Sequence, residues 1–520
     1  MKPPILSKNY LFLTGLFMLA AGLPLSKFLT GFSQLVLAGS VLIEGNIAEK
    51  WQRLRQNKAA WVIMGIWLMH LAGLLYTEDM ASGIWDTRMK LPILVLTVAI
   101  VSSAPLPARM VKRILWTFVL AVICGSLVST AVLVGIIKRP VLDIRDIFIF
   151  HISHIRFALF ACLSIFFLCF EVFVEKGPVA AKLLFALAAS WLVVFLFLAE
   201  SVTGISILVT LSVPALFALG LAARSKPVKV AVCTVAIAMP AILVADAAWF
   251  LYQVNRPHPV AINLDEKTAL GNDYQFNTRD ALTENGYRVW IYYNIDEMRD
   301  AWNKRSAIKF DSLDRKSQHV SYTLIRYLTS LGMRKDAEAV NRLTAEDVAA
   351  IESGTANVHY QGISNFKARL MELDWEFRQA MQNRDPSGHS ATMRLEFWKA
   401  GFSILRAHLL FGVGTGDLRQ EFDKEYVAMN SPLDEKWRLR THNQYLSIAV
   451  AFGLVGLAYF LFALFYPAIM LKRKDFLYLV FLGIFLLSML TEDTLETPAG
   501  ASFYALFNAL FLFSSHPERE

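Results

Sequence analysis

The sequence predicts an all-α polytopic membrane protein, with about 12 transmembrane helices and one large, mainly helical loop outside the bilayer. Two observations lead there. Hydrophobic residues make up 55% of the 520, and apolar stretches of about 20 residues, the length a helix needs to cross the hydrocarbon core, recur along the chain. Against that background residues 253–441 are the one long polar segment. Its own periodicity is helical: Leu343 to Ser353 and Asn365 to Met381 keep apolar side chains on one face, and Thr344-Ala345-Glu346-Asp347 has the form of a capping box.

Taken in order, spans are expected at 10–26, 28–43, 59–76, 91–104, 112–137, 155–174, 180–198, 203–222, 229–252, 442–470, 475–491 and 499–514. The first lacks a small-residue cleavage site and reads as a retained helix. The expected organisation is therefore 1–252 for the first nine spans, 253–441 for the loop and 442–520 for the last three. An even number of spans puts both termini on one side. Lys50, Arg53, Arg55 and Lys58, then Arg109, Lys112 and Arg113, then Lys472, Arg473 and Lys474 all fall in segments on that side, so the positive-inside rule makes it cytoplasmic and turns the loop outward.

The loop carries equal numbers of Lys+Arg and Asp+Glu, so the net charge of +8 sits in the membrane-flanking segments. That distribution reads as topology, and no nucleic-acid partner is expected. Cys124, Cys162, Cys169 and Cys233 all lie in apolar runs, which implies neither a disulfide framework nor a metal site. No internal repeat or inverted pair of halves is evident.

The long polar segment re-enters the apolar chain at Arg440-Thr441-His442-Asn443-Gln444-Tyr445-Leu446. Thr441 and Gln444 are spaced for a capping box, which would make His442 a first-turn residue. The positive end of the helix dipole would favour its neutral form, able to accept a proton as a general base. The alternative is a helix cap or interfacial anchor. Leu446, Ala449, Gly453 and Gly456 fall at helical spacing and form a narrow, mostly small face for another helix.

Other candidates lie upstream and downstream. Arg394 precedes an amphipathic run, Phe397, Ala400, Gly401, Ile404 and Leu405, and could grip a diphosphate bidentately or pair with Glu396. Gly412, Gly414 and Gly416 suit a tight turn better than a phosphate nest, because no strand precedes them and no Lys-Ser/Thr follows. His151 and His154 open the sixth span without a third ligand at metal-binding spacing, and Arg156 beside them is a second anion contact or an interfacial arginine. Lys90 precedes Leu91-Pro92 at the fourth span. Glu492, Asp493 and Glu496 read as a solvated acidic loop, with pairing to the arginines or orientation of His442 as the other reading.

Three of these segments, in this order, resemble a family. Arg394-Leu395-Glu396-Phe397-Trp398, then Phe411-Gly412-Val413-Gly414-Thr415-Gly416-Asp417, then His442-Asn443-Gln444-Tyr445-Leu446 followed by Gly453 and Gly456 are similar to the bacterial O-antigen ligase and O-antigen polymerase superfamily of polytopic membrane glycosyltransferases. The motif region covers about 390–460. The resemblance implies a GT-C-like helical fold in the bacterial inner membrane with its active site facing the periplasm. It implies an O-antigen ligase that moves a glycan from undecaprenyl diphosphate to lipid A core by inverting, metal-independent transfer, with no cofactor. The polymerase that joins lipid-linked repeat units is the alternative. Its implied roles are catalysis by His442, diphosphate binding by Arg394, Arg156 and Lys90, and support from His154, Asn443, Tyr445 and Glu492.

The sequence departs from the family at Ala199-Glu200-Ser201-Val202-Thr203-Gly204, where many members carry a phosphate-binding arginine, and Arg156 or another outer cation is expected to substitute. A lipid-linked sugar flippase is the reading from another class. It predicts repeated halves and charges near the middle of the membrane, whereas the sequence offers mainly Glu200 and Asp246, acids near span ends.

Overall fold

The computed structural model describes residues 10–515 except 44, 142–143, 151, 175–176, 223–224, 259–261 and 383–384. The chain divides into two compact units, residues 1–215 with 386–520, and residues 216–385. The first unit contains α1 (Tyr10–Leu25), α2 (Lys27–Ile43), α3 (Ile47–Gln56), α4 (Lys58–Ala72), α5 (Met80–Met89), α6 (Leu91–Ser102), α7 (Ala108–Leu133), α8 (His154–Phe173) and α9 (Val179–Leu198). α10 (Val202–Ala222) carries the chain into the second unit, which holds α11 (Lys226–Val254), α12 (Ile295–Arg305), α13 (Val320–Ser330), α14 (Ala337–Arg342), α15 (Ala345–Glu352) and α16 (Asn365–Met381). The first unit resumes with α17 (Ser390–Ala407), α18 (Leu418–Ala428), α19 (Gln444–Met470), α20 (Phe476–Ser488) and α21 (Pro498–Phe513).

Every expected span falls on a helix. Among the described residues six segments are long and apolar enough to cross a bilayer unaided: Lys58–Tyr76, Ala108–Leu133, His154–Phe173, Val179–Leu198, Lys229–Val254 and Gln444–Met470. The pair α2 and α3, bent by 111°, makes a seventh if taken as one span. Tyr10–Leu25, Val202–Ala218, Phe476–Ser488 and Pro498–Phe513 are apolar but shorter. The protein is therefore an all-helical, multi-pass membrane protein.

Local chemistry accounts for the ends of these helices. Asn57, Asp79, Asn443 and Thr497 each accept a backbone N–H with the side chain at the starts of α4, α5, α19 and α21. Proline stands in the first turn of α6 and α21, where its missing N–H costs nothing. α21 is apolar around its whole circumference and is buried from Gly500 to Leu512. Phe503 and Phe507 meet Phe118 and Phe481 at centroid distances of 4.8–6.3 Å.

The second unit has its own core around Trp302, Leu324, Tyr327, Val340, Ile351 and Trp375. The Thr344/Asp347 capping box forms as expected. Among the described residues the only sheet is a two-stranded antiparallel ribbon, β1 (Thr283–Glu284) with β2 (Tyr287–Arg288). Partly buried Arg326 pairs with Glu284 at 2.9 Å and lies 3.7 Å over the Trp375 ring.

α19 is broken. Gly453 has φ 65° and ψ −167°, so it does not continue the small helical face expected of it. The backbone groups freed by the break are taken up by the glycine-rich segment. Val413 and Gly414 donate to the carbonyls of Val450 and Ala451 at 3.0 and 2.9 Å, and Leu454 and Val455 donate to Leu409 and Leu410 at 2.8 and 3.3 Å. The approach is backbone to backbone: a Cβ on Gly412 would lie 2.4 Å from Ala451 and Phe452, and one on Gly453 would lie 2.1 Å from Leu410. The same segment reaches α4 and α5. Thr415 donates to the His70 carbonyl at 2.7 Å, and the Asp417 carboxylate accepts the N–H groups of Glu78 and Asp79.

Gly412→Ala and Gly453→Ala should each destabilise the protein by about 2 kcal/mol or more, since both positions also need positive φ. Gly31→Ala, with nothing within 4 Å, should be neutral or slightly stabilising. Melting in detergent measures all three, and equal melting points would remove the glycines from this role.

Candidate functional site

The beginnings of α6, α8, α17, α19 and α21 contribute residues to one acidic segment, Glu492 to Thr497, between α20 and α21. The partial positive charge of helix N-termini favours carboxylates in that position. The expectation of a solvated loop fails here. The Glu492 and Glu496 side chains are only 7% and 9% exposed, because charges at the ends of apolar spans must find partners, and they find them on distant helices.

Glu492 is the centre of one group. Arg394 on α17 meets Oε1 at 2.9 Å, Arg156 on α8 meets Oε2 at 3.4 Å, and Nδ1 of His442 lies 4.0 Å from Oε2. At that distance the imidazole faces the carboxylate from beyond hydrogen-bond reach. Arg156 is buried and also donates to the Asp493 carbonyl at 3.0 Å and Thr497 Oγ1 at 3.3 Å. Glu396, the alternative partner of Arg394, instead binds Lys399. Nε of Arg394 is buried and finds no hydrogen-bond partner among the described residues.

Glu496 is the centre of the adjoining group. Lys90 is 1% exposed and meets Glu496 at 2.7 Å. Arg440 spans Asp86 at 3.1 Å and Glu496 at 3.5 Å, and Gln444 donates to Glu496 while accepting the Leu495 N–H. Between the groups lies Asp493, which accepts from Ser447 at 2.7 Å. A cavity of about 10 Å³, room for about one water, adjoins Lys90, Glu496, Asp86, His70, Thr415 and Ser447.

His442 is not in the first turn of α19. Asn443 is the cap, its side chain accepting the Leu446 N–H, and the Thr441 hydroxyl accepts the Asn443 N–H and contacts Ser447. The expected Thr441/Gln444 box is absent because the acidic segment holds the Gln444 amide. His442 takes a left-handed conformation, φ 48°, which costs a non-glycine residue about 1–3 kcal/mol and is held only where its surroundings require it. Trp398 supplies part of that constraint by donating to the Thr441 carbonyl at 3.0 Å, and the Phe397 ring lies 5.7 Å from the imidazole. The imidazole remains partly accessible, with 35% of its side chain exposed.

The structure thus gathers His442, Arg394 and Arg156 on Glu492, and puts Lys90 on neighbouring Glu496. Asn443 donates to the Leu490 carbonyl and Tyr445 to the Leu486 carbonyl, fastening α19 to the end of α20. His154 is the first residue of α8, 6.4 Å from the Phe148 ring, and His151 lies outside the described residues. Among the described residues no group of three His, Cys, Asp or Glu side chains is arranged to hold a metal ion. Arg440, Asp86 and Ser447 were not singled out as site residues from the sequence, and Gln444 was read only as part of a helix cap. The readable signal was three acids in a stretch without a cation, since burial at a span end demands cations from elsewhere.

Burial alone would push up the carboxyl of Glu492, but His442, Arg156 and Arg394 outweigh it and hold the group below the usual range. Lys90 and Arg440 likewise hold Glu496 well below its ordinary value against burial. Asp493 moves the other way, raised by burial and by the charge of Glu496.

Fold and site together define a multi-pass helical membrane protein with a charged cluster where helix ends meet. Residues 354–461 match the family described as O-antigen ligase. The match takes in Arg394, the glycine-rich segment, His442 and the break at Gly453, and it bears out the resemblance to the O-antigen ligase and polymerase superfamily. No curated protein matches the chain.

Because Glu492 is depressed in the folded state, it stabilises the fold above its unfolded value of about 4.3, and the contribution is lost as pH falls through the folded value. Glu492→Gln leaves buried Arg156 without its counter-charge and should cost about 3 kcal/mol at neutral pH. The acid-induced fall in melting temperature between about pH 6 and about pH 3 should be smaller in that variant. An unchanged melting point at neutral pH would mean that Glu492 does not hold the cluster.

Proposed function

We propose that the chain is an O-antigen ligase of the bacterial inner membrane, transferring a glycan from undecaprenyl diphosphate to lipid A core at the periplasmic face. The observation that carries this reading is the convergence of Arg156 and Arg394 on one buried carboxylate beside a strained, accessible histidine. Two guanidiniums oriented by that carboxylate can grip a diphosphate through donors that Glu492 does not use. They neutralise the charge that develops on the leaving diphosphate, the task a divalent metal performs in nucleotide-sugar transfer. Glu492 faces Nδ1 of His442, which leaves Nε2 to take the acceptor hydroxyl proton as the oxygen attacks the anomeric carbon and the diphosphate departs. Lys90 and Arg440 add positive charge from the adjoining group. Twelve spans and an external 253–441 segment complete the reading, on the charge asymmetry of the short loops.

In a strain lacking the chain, full-length polymer should accumulate on the lipid carrier and be absent from lipid A. Single repeat units would identify a polymerase, and substrate trapped on the inner face a flippase. Restoring the gene as His442→Gly should leave the defect uncorrected although the protein accumulates normally. Glycine relieves the left-handed strain, so the purified variant should be at least as stable as the native protein while transferring about a hundred- to ten-thousand-fold more slowly. Normal turnover by this variant would reduce His442 to a structural residue.

Orientation is tested by Ala269→Cys, an exposed position in the second unit. It should react with an impermeant thiol reagent once the outer membrane is permeabilised, and reaction only after lysis of the inner membrane would reverse the topology.

A further inference from the structure

The first unit has a second feature at the end opposite the acidic segment. There the C-terminal ends of α6, α19 and α21 meet the start of α4 and the helix α3, around a cavity of about 430 Å³ that opens to one side. That volume lies within the roughly 300–1,000 Å³ typical of small-molecule sites. Its lining is amphiphilic. Ile100, Val101, Met470 and Phe513 form an apolar wall, and Arg53 with Asn57 forms a polar one.

α3 is what makes this a built site. It turns 111° from α2, and a core of Leu54, Ala60, Met64 and Val101 with Phe513 packed against it holds it to α4, α6 and α21. Its remaining face carries Trp51, 54% exposed and 6.5 Å from the Trp61 ring, with Arg53 and Arg55. A short basic helix with exposed tryptophan, turned away from the preceding span, has the character of a helix lying in the lipid headgroup layer.

Two other cations at this end have assignments within the fold. Lys50 donates to the carbonyls of Ser40 and Val41 at the end of α2, and buried Arg473 donates to those of Leu512 and Ser514 at the end of α21. Arg53 donates to the Ser102 carbonyl at 3.4 Å and pairs with Glu49, whose side chain is 55% exposed. An exposed pair of this kind is worth little and exchanges readily for a stronger anion.

We propose that this cavity binds the phosphodiester headgroup of an anionic glycerophospholipid, with Arg53 on the phosphate and Ile100, Val101, Met470 and Phe513 against the glycerol backbone and upper acyl chain. The charge and the apolar wall are both needed, so the site selects lipid over free phosphate and anionic over zwitterionic headgroups.

The test uses the full chain in detergent, with melting followed as phosphatidylglycerol, phosphatidylcholine or inorganic phosphate is added. Phosphatidylglycerol should raise the midpoint by at least about 3 °C, and the other two should not. Arg53→Gln should abolish the response, and so should Met470→Trp, which narrows the cavity without touching the charge. Arg55→Gln removes an exposed charge from the same helix outside the cavity and should keep the response. Equal stabilisation by phosphatidylcholine, an equal effect of inorganic phosphate, or loss of the response in Arg55→Gln as in Arg53→Gln would each overturn the proposal.

Discussion

A carboxylate at the end of an apolar helix must be compensated, and in this protein the compensation links the helices together. Removing an ion from water costs several kcal/mol even after relaxation, so Glu492 and Glu496 are tolerated only because cations from distant parts of the sequence reach them. Those cations stand at the beginnings of α6, α8 and α17 and just before α19. Each helix is thus fixed in depth and rotation by an electrostatic requirement as well as by packing. The specificity of the arrangement comes from unequal treatment of neighbouring acids: Glu492 and Glu496 are held charged, whereas Asp493 between them is pushed toward its neutral form.

The same requirement defines what a substrate would meet. Arg156 and Arg394 are already oriented by a carboxylate, so an incoming diphosphate would meet cations that need no ordering afresh. The strain at His442 fits this picture. Its backbone is fixed on one side by Trp398 and on the other by the capped start of α19, and the imidazole stays partly accessible where the guanidiniums meet.

The helices were legible because bilayer length and hydropathy constrain them strongly, and α15 and α16 because their polar and apolar faces alternate with helical period. Their number as membrane crossings is less legible, since α6, α20 and α21 are short and gain their place from burial against neighbours. At the site, Arg394, Arg156 and His442 stood out as ionisable residues at span ends. Glu492 and Glu496 looked solvated because their hydrogen-bonded partners lie between 52 and 406 residues away along the chain, and pairing of that kind leaves no local pattern. The capping of α19 was misread for a related reason: Thr441 and Gln444 have the spacing of a box, but the acidic segment competes successfully for the Gln444 side chain. Gly453 fits a helical small-residue face equally well by spacing, and only the docked glycine-rich segment reveals it as a break.

That docked segment joins parts of the chain made at very different times. Its Thr415 and Asp417 contacts are with α4 and the start of α5, among the earliest helices synthesised, whereas its Val413 and Gly414 contacts are with α19, among the last. Until α19 has been inserted and has bent at Gly453, the N–H groups of Val413 and Gly414 and the carbonyls of Leu409 and Leu410 lack the partners they have in the fold. Completion of the His442 region is therefore coupled to the end of translation. A ribosome-bound chain that has emerged only as far as α18 already carries Arg156, Arg394 and Lys90, yet lacks the helix and the acidic segment that bring them together.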